Sequence, residues 1–259
     1  MSYRFAVLGR PIRHSRSPAI HQAALAALHL DGQYEAREVD REGVEAAFAE
    51  LRSGSLTGFN VTMPHKELAA RLCDRLAGGA DRAGSVNTVL VEQGKVVGYS
   101  TDVSGIQDVW GTLPDSSPVL ILGAGGAAAA AVIALESRPL YIAARRYGKG
   151  QALGQRLGQE LGEVRWGVPV VGAVVVNCTP LGMGGEELPG EVLGLASGLL
   201  DMAYRSEPTP AVQKIREMGR PAVEGLELLV AQAGRSFTLW TGFPAPLEVM
   251  RRAAEGLSP

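Results

Sequence analysis

Val119-Leu-Ile-Leu-Gly-Ala-Gly-Gly-Ala-Ala128 is an apolar run that ends in glycines and passes straight into an alanine-rich segment. Val119–Leu122 reads as a buried strand, and Gly123-x-Gly125-x-x-Ala128 follows it as G-x-G-x-x-A. The first glycine permits a tight turn. The second lets the backbone approach a pyrophosphate, and the small third residue lets helix and strand pack closely. The helix opening here turns free N–H groups toward an anion. This stretch predicts a Rossmann-type unit with Gly123, Ala124, Gly125, Gly126 and Ala127 lining a dinucleotide. The competing reading is a glycine turn with a purely structural role.

Downstream, the second strand of the unit, Leu140–Ala144, runs into Arg145-Arg146 and then Lys149. NAD-dependent sites place an acid about 20 residues past the first glycine, to hold the ribose 2′-hydroxyl. No acid stands there. Two guanidiniums and an ammonium suit a 2′-phosphate instead, so NADP(H) is expected rather than NAD, against the alternative of a basic surface turn. Asn177-Cys-Thr179-Pro-Leu-Gly-Met183 ends a later strand. Thr179 and Met183 are expected on the nicotinamide side, since open parallel sheets bind ligands beyond their strand ends. For Met183 a place in the core is the equal alternative. Further strands are expected at 164–166, 173–177, 199–204 and 221–224, with helices at 127–136, 149–161, 209–218, 226–240 and 247–255.

Upstream of the turn-rich 112–118, strand and helix signals also alternate: strands at 3–9, 34–39 and 56–62, helices at 17–30, 44–53 and 65–76. A hairpin is expected from 85–92 and 95–100. Such alternation favours a mixed or parallel sheet. The fold class predicted is α/β with two domains. Residues 1–103 with 226–259 form a substrate domain, and 104–225 form the dinucleotide-binding domain.

Asn60-Val-Thr62-Met-Pro-His-Lys66 gathers a carboxamide, a hydroxyl, an imidazole and an ammonium around one proline, a rigid polar loop. Only four of the 25 basic residues are Lys, and one stands here. Lys can release a proton in a tuned environment where Arg cannot, which makes Lys66 a candidate proton-transfer group. The other reading is a solvated lysine on the first helical turn. Asp102, in Tyr99-Ser-Thr-Asp102, could orient Lys66 and tune it, or could cap the next helix. Ser15 and Ser17 straddle a predicted helix start beside Pro18, with Ser17 as its N-cap. Their hydroxyls suit an anion such as a carboxylate. Asn87 adds a second carboxamide.

Bulk properties exclude several classes. A net charge of −2 gives no footprint for nucleic acid. No apolar run reaches membrane-spanning length, and the first residues lack a signal-peptide pattern, so a cytoplasmic protein is expected. Cys73 and Cys178 form no metal-spacing motif; both are expected as reduced thiols, and no metal is expected. The oligomeric state is unreadable, and a homodimer stays open.

Taken in order, these pieces resemble the shikimate dehydrogenase family. The resemblance rests on Ser15-x-Ser17-Pro18, Asn60-Val-Thr-x-Pro-x-Lys66, Asn87-Thr88, Thr101-Asp102, Gly123-Ala-Gly-Gly-Ala127, Asp201-Met-x-Tyr204, Gly225, and Gln232 with Phe237-x-x-Trp240-Thr-Gly242. It implies NADPH-dependent reduction of 3-dehydroshikimate to shikimate. It further implies that Ser15 and Ser17 hold the substrate carboxylate, that Asn60, Thr62, Asn87, Asp102 and Gln232 bind ring hydroxyls, and that Lys66 with Asp102 is the catalytic pair. By the same resemblance Tyr204 is on the substrate side, and Gly225 joins the cofactor-binding set. The chain departs from the family at Ala144 and Ala129, where Asn and a basic residue are usual, and at Ser85 and Ser100. Two other readings are an NAD-dependent quinate/shikimate dehydrogenase and a non-catalytic NADP-binding sensor.

Overall fold

The structure is a computed structural model that describes residues 2–256. The first half of the chain runs β1 (Tyr3–Gly9), α1 (Ser17–Ala27), β2 (Gly32–Glu38), α2 (Arg41–Ser53), β3 (Gly58–Val61) and α3 (Lys66–Leu72). It continues through β4 (Arg75–Ala77), α4 (Ala80–Ala83), β5 (Thr88–Glu92), β6 (Lys95–Tyr99) and α5 (Thr101–Val109). The second half runs β7 (Val119–Leu122), α6 (Gly126–Ala134), β8 (Leu140–Ala144), α7 (Lys149–Leu157), β9 (Gly162–Arg165) and β10 (Val174–Asn177). It closes with α8 (Gly190–Leu195), β11 (Gly198–Asp201), α9 (Pro210–Glu217), β12 (Ala222–Val223), α10 (Gly225–Thr241) and α11 (Leu247–Ala254). The chain divides into two compact units, Met1–Ser104 with Leu229–Pro259, and Gly105–Leu228.

The first unit holds a mixed sheet in the order β2-β1-β3-β5-β6-β4. β1 pairs parallel with β2 and β3; β5 runs antiparallel to β3 and β6. Gln93 and Gly94 both have positive φ, the left-handed pair that a two-residue hairpin turn needs. Its core buries Leu8, Val44, Phe48, Leu51, Phe59 and Val89. α2 is held by Asp40, whose side chain accepts from Gly43 N–H, and by Gly54 in the left-handed conformation at its end.

The second unit is an all-parallel sheet in the order β12-β11-β10-β7-β8-β9. Strand order reverses between β7 and β10, and this switch point is where doubly wound sheets bind ligands. Ala128–Ala134 of α6 are all buried, so the alanines bring the helix close to the sheet.

Several elements differ from the sequence reading. The helix expected over 65–76 ends at Leu72, and 75–77 form β4, parallel to β6. Leu68, Ala69, Leu72 and Leu76 keep helical spacing, but Asp74 overrides it. Its carboxylate accepts from Val96 N–H and pairs with Arg52, which holds the chain extended. Ser17 is the first helical residue of α1, with Arg16 as the cap position and no side-chain cap bond; the predicted Ser17 N-cap is thus corrected. α1 stops at Ala27 rather than Leu30, where His29 takes a positive φ. The strand expected over 199–204 ends at Asp201, so Tyr204 lies beyond it. The short α4 and α8 carry no signal that the sequence reading used.

Candidate active site

The sheet of the first unit positions its polar residues by register. Asn60 on β3 lies opposite Thr88 on β5, and Thr88 lies opposite Tyr99, just before Thr101 and Asp102 enter α5. α10 adds Gln232 and Ser236 from one face, four residues apart. Asn60, Asn87, Thr88, Thr101 and Ser236 are all buried. Buried polar groups must find partners, and here they find one another.

Lys66 opens α3, so the first-turn placement holds, but the solvated reading does not. Its Nζ is 2.5 Å from Asp102 Oδ2, and the two side chains are 23% and 14% exposed. Asp102 lies within the first turn of α5, with its carboxylate directed to Lys66 and Asn87, which removes the capping account. Asn87 Nδ2 donates to Asp102 Oδ1 at 3.0 Å, Gln232 Oε1 at 2.8 Å and Thr101 Oγ1 at 2.9 Å, while its Oδ1 accepts from Thr101 N–H at 2.7 Å. A carboxylate accepts only and a backbone N–H donates only, so these partners fix the Asn87 amide orientation. Gln232 then accepts through Oε1 and keeps its NH₂ for other partners.

The loop before Lys66 is tied down at both ends. Thr62 N–H donates to the Leu8 carbonyl at 2.8 Å, His65 N–H to the Thr62 carbonyl at 3.0 Å, and His65 Nε2 to the Val39 carbonyl at 2.9 Å. Gly9 is required here, since a Cβ would come within 2.4 Å of Thr62 Cγ2. Ser15 Oγ accepts from Ser17 N–H at 3.3 Å, and Ser17 is nearly buried. Residues the sequence did not single out complete the cluster. Tyr34 OH donates to Asn60 Oδ1 at 2.7 Å, and Ser236 Oγ lies 2.7 Å from Thr88 Oγ1. Helical spacing from Gln232 could have pointed to Ser236; nothing local in β2 marks Tyr34.

In the second unit, Gly123 takes φ of +111°, and a Cβ there would stand 3.1 Å from the Cys178 carbonyl. A Cβ at Gly125, by contrast, would meet nothing within 4 Å. α6 opens on Gly125 without a side-chain cap and without an acid in its first turn. That is an open helix start fit for an anion. Ala124, Gly126 and Ala127 are partly exposed around it. Arg145, Arg146 and Lys149 are exposed on the turn after β8. One acid does reach this turn: Glu163 of β9 accepts from Gly148 and Gly150 N–H at 2.8 and 3.0 Å. It closes the α7 start, so the cations after β8 are left for a ligand. The donor set thus fits a phosphorylated dinucleotide.

Beside Gly123, Thr179 donates to Asn177 Oδ1 at 2.7 Å. Asn177 Nδ2 bonds Asp201 Oδ1 at 2.8 Å; Asp201 also accepts from Ala203 N–H and from Thr209 Oγ1. Burial pushes the Asp201 carboxyl up, against the hydrogen bonds from Thr209, Asn177 and Ala203. This knot fixes the chain just before Tyr204. Gly225 packs under it, because a Cβ there would lie 2.5 Å from the Ala203 carbonyl oxygen. Met183 is half exposed on the loop after Thr179, which removes the core alternative. Among the described residues no cluster of His, Cys, Asp or Glu could hold a metal ion.

Residues 7–89 match the family model described as the shikimate dehydrogenase substrate binding domain, and 225–255 that described as the shikimate 5'-dehydrogenase C-terminal domain. The chain is 39% identical to the shikimate dehydrogenase (NADP(+)) of Pyrobaculum neutrophilum over 96% of each chain. It is 36% identical to that of Thermus thermophilus over 98% of this chain and 99% of that protein. Among solved structures it is similar to a shikimate 5-dehydrogenase from Thermus thermophilus in complex with NADP(H) and shikimate. That match has a TM-score of 0.89 and 33% identity, covering 98% of this chain and 99% of that one.

Proposed function

The chain belongs to the shikimate dehydrogenase family, and on that premise we propose that it catalyses the NADPH-dependent, reversible reduction of 3-dehydroshikimate to shikimate in aromatic amino-acid biosynthesis. The observation that carries the reading from family to mechanism is the Lys66–Asp102 pair, joined through Asn87 to Gln232. NADPH, when bound, supplies the hydride. The reduced carbonyl carries growing negative charge on oxygen. An ammonium held in one orientation stabilises that charge and can deliver a proton to it, as general acid. Asp102 keeps Lys66 in place, and in the oxidative direction the same amine accepts the hydroxyl proton.

In this reading Ser15 and Ser17 hold the substrate carboxylate, and Asn60, Thr62, Asn87, Asp102 and Gln232 meet ring hydroxyls. Tyr204 is assigned to the substrate as well. Gly123 to Ala127 cradle the pyrophosphate, Arg145, Arg146 and Lys149 meet the 2′-phosphate, and Thr179, Met183 and Gly225 border the nicotinamide. The proposed division of labour is 1–103 with 226–259 for substrate and 104–225 for cofactor. We further propose a cytoplasmic enzyme. Neither Cys73 nor Cys178 is in a disulfide, and no described helix is long and apolar enough to cross a membrane. A homodimer would show as twice the chain mass in light scattering.

The test is absorbance at 340 nm with shikimate or quinate and NADP⁺ or NAD⁺. Turnover favouring shikimate with NADP⁺ is expected. A kcat/KM favouring quinate with NAD⁺ would replace this reading. Tight NADPH binding without turnover would make the chain a sensor.

A further inference from the structure

Tyr34 sits on β2, outside every motif of the active site, yet its hydroxyl reaches into it. The donor bond to Asn60 Oδ1 is 2.7 Å long. The Asn60 amide cannot be turned the other way. Its Nδ2 faces the Asn87 backbone carbonyl at 2.9 Å, and a carbonyl only accepts. The same nitrogen is 3.0 Å from Thr88 Oγ1 and 3.1 Å from Ser236 Oγ. Two N–H protons therefore face three acceptors, and none is spare for a ligand. What Asn60 has left is one lone pair of Oδ1, the atom that Tyr34 holds.

Ser17, on α1, lies near enough to the Tyr34 phenol to act on it. The phenol thus lies beside residues assigned to the two sides of the substrate, its carboxylate and its ring hydroxyls. The ring behind it has no slack. It stacks on His21 with centroids 4.4 Å apart and planes 5° apart, and Phe5 and Trp240 flank it at 6.5 and 6.1 Å. Burial raises the phenol well above its ordinary range, so it stays a neutral donor at working pH.

We propose that Tyr34 is a positioning residue for substrate recognition: its hydroxyl holds Asn60 in one orientation and leaves it to meet a substrate hydroxyl as an acceptor. This rests on the assignment of shikimate as substrate. A ring hydroxyl that donates would be accepted; a ligand group at that position able only to accept would be refused.

The experiment is Tyr34→Phe, which deletes the hydroxyl and keeps the stacked ring. With shikimate and NADP⁺, the KM for shikimate should rise about tenfold, the scale of one lost hydrogen bond, while kcat and the KM for NADP⁺ change less than about twofold. In an Asn60→Ala background the same change should raise KM no further. The rise in Tm produced by saturating shikimate should shrink in Tyr34→Phe, a readout that a merely structural role would leave alone. An unchanged KM, or an equal effect with and without Asn60, overturns the assignment. A wild-type chain that does not turn over shikimate overturns the substrate reading beneath it, and is told apart because the wild type itself is then inactive. Should Tyr34→Phe not fold, 3-fluorotyrosine at position 34 keeps ring and hydroxyl while strengthening the donor. A shifted shikimate KM then supports the proposal, and an unshifted one overturns it.

Discussion

Lys66 and His21 are both basic residues of the first unit that are shielded from water, and they are treated in opposite ways. Lys66 has a carboxylate 2.5 Å away that fixes where its Nζ points. In the proposed mechanism, Lys66→Ala removes the ammonium that meets the substrate oxygen as it becomes anionic. We expect kcat to fall by about 10²–10⁴-fold with a smaller change in shikimate KM. Lys66→Arg should not restore it, because a guanidinium keeps its proton. A near-normal kcat in Lys66→Ala, measured at 340 nm, would remove Lys66 from the mechanism. His21 has no partner on either ring nitrogen and is walled in by Tyr34, Phe237 and Trp240. Burial lowers it from 6.5 to about 3. The folded state therefore holds it neutral, while the unfolded chain protonates it below about 6.5. Its contribution to stability is complete above that pH and is lost as pH falls toward 3. Between pH 7 and 5 this one group should cost about 2 kcal/mol, at roughly 1.4 kcal/mol per pH unit once the unfolded histidine is charged. Urea unfolding at the two pH values should show His21→Phe losing less stability than the wild type. Equal losses would mean that His21 is not the acid-sensitive group.

At the scale of elements, the turn from β12 into α10 depends on one missing side chain. A Cβ on Gly225 would lie 2.5 Å from the Ala203 oxygen and 3.0 Å from the Asp201 oxygen, both backbone atoms. Asp201 and Ala203 cannot easily yield, because Asn177, Thr209 and the Ala203 N–H all converge on the Asp201 carboxylate. Gly225→Ala should therefore cost about 1–3 kcal/mol in the absence of any ligand, the usual range for overpacking. If Gly225 served the cofactor alone, the apoprotein's urea midpoint would not move, and that measurement separates the two roles. Elements of this length also mark the limit of what the sequence can reveal. The β7 strand, its glycine turn and the alanine helix α6 were legible because strand, turn and small-residue signals agree over ten residues. β4 was not, since three residues carry no period, and the apolar spacing from Leu68 to Leu76 argued for a continuing helix. The bond from Val96 N–H to Asp74 that decides the matter spans 22 residues. The candidate site is legible in the same uneven way. Motif residues such as Lys66, Asn87 and Asp102 announced themselves, whereas Tyr34 enters through packing of β2 against β1 and α1 that no local pattern encodes.

At the scale of the whole molecule, the two units are not equally independent of the rest of the chain. The second is one unbroken stretch, Gly105–Leu228, with all six of its strands inside it. The first needs a segment that returns from the far end. Trp240 lies over Gly58, so close that a Cβ there would come within 2.4 Å of the indole nitrogen. The same indole donates to the Val89 carbonyl and stacks on Phe5 at 4.6 Å. Ser236 and Gln232 satisfy Asn60, Thr88 and Asn87, and the Arg16 guanidinium bonds the Ala254 carbonyl to hold α1 beside α11. Without 229–259, the first unit would expose Phe5, His21 and Tyr34 to water and leave buried amides short of partners, each costing about 1–3 kcal/mol. Summed with the apolar surface exposed, the loss is comparable to the whole stability of a small domain. A fragment of residues 105–228 should therefore melt cooperatively by circular dichroism, and NADP⁺ at about 100 times its Kd should stabilise it by about 2.7 kcal/mol. A fragment of residues 1–104 should show no cooperative transition, and adding 229–259 through a flexible linker should restore one. A cooperative melt from 1–104 alone would show that the returning helices serve the active site without being needed to fold it.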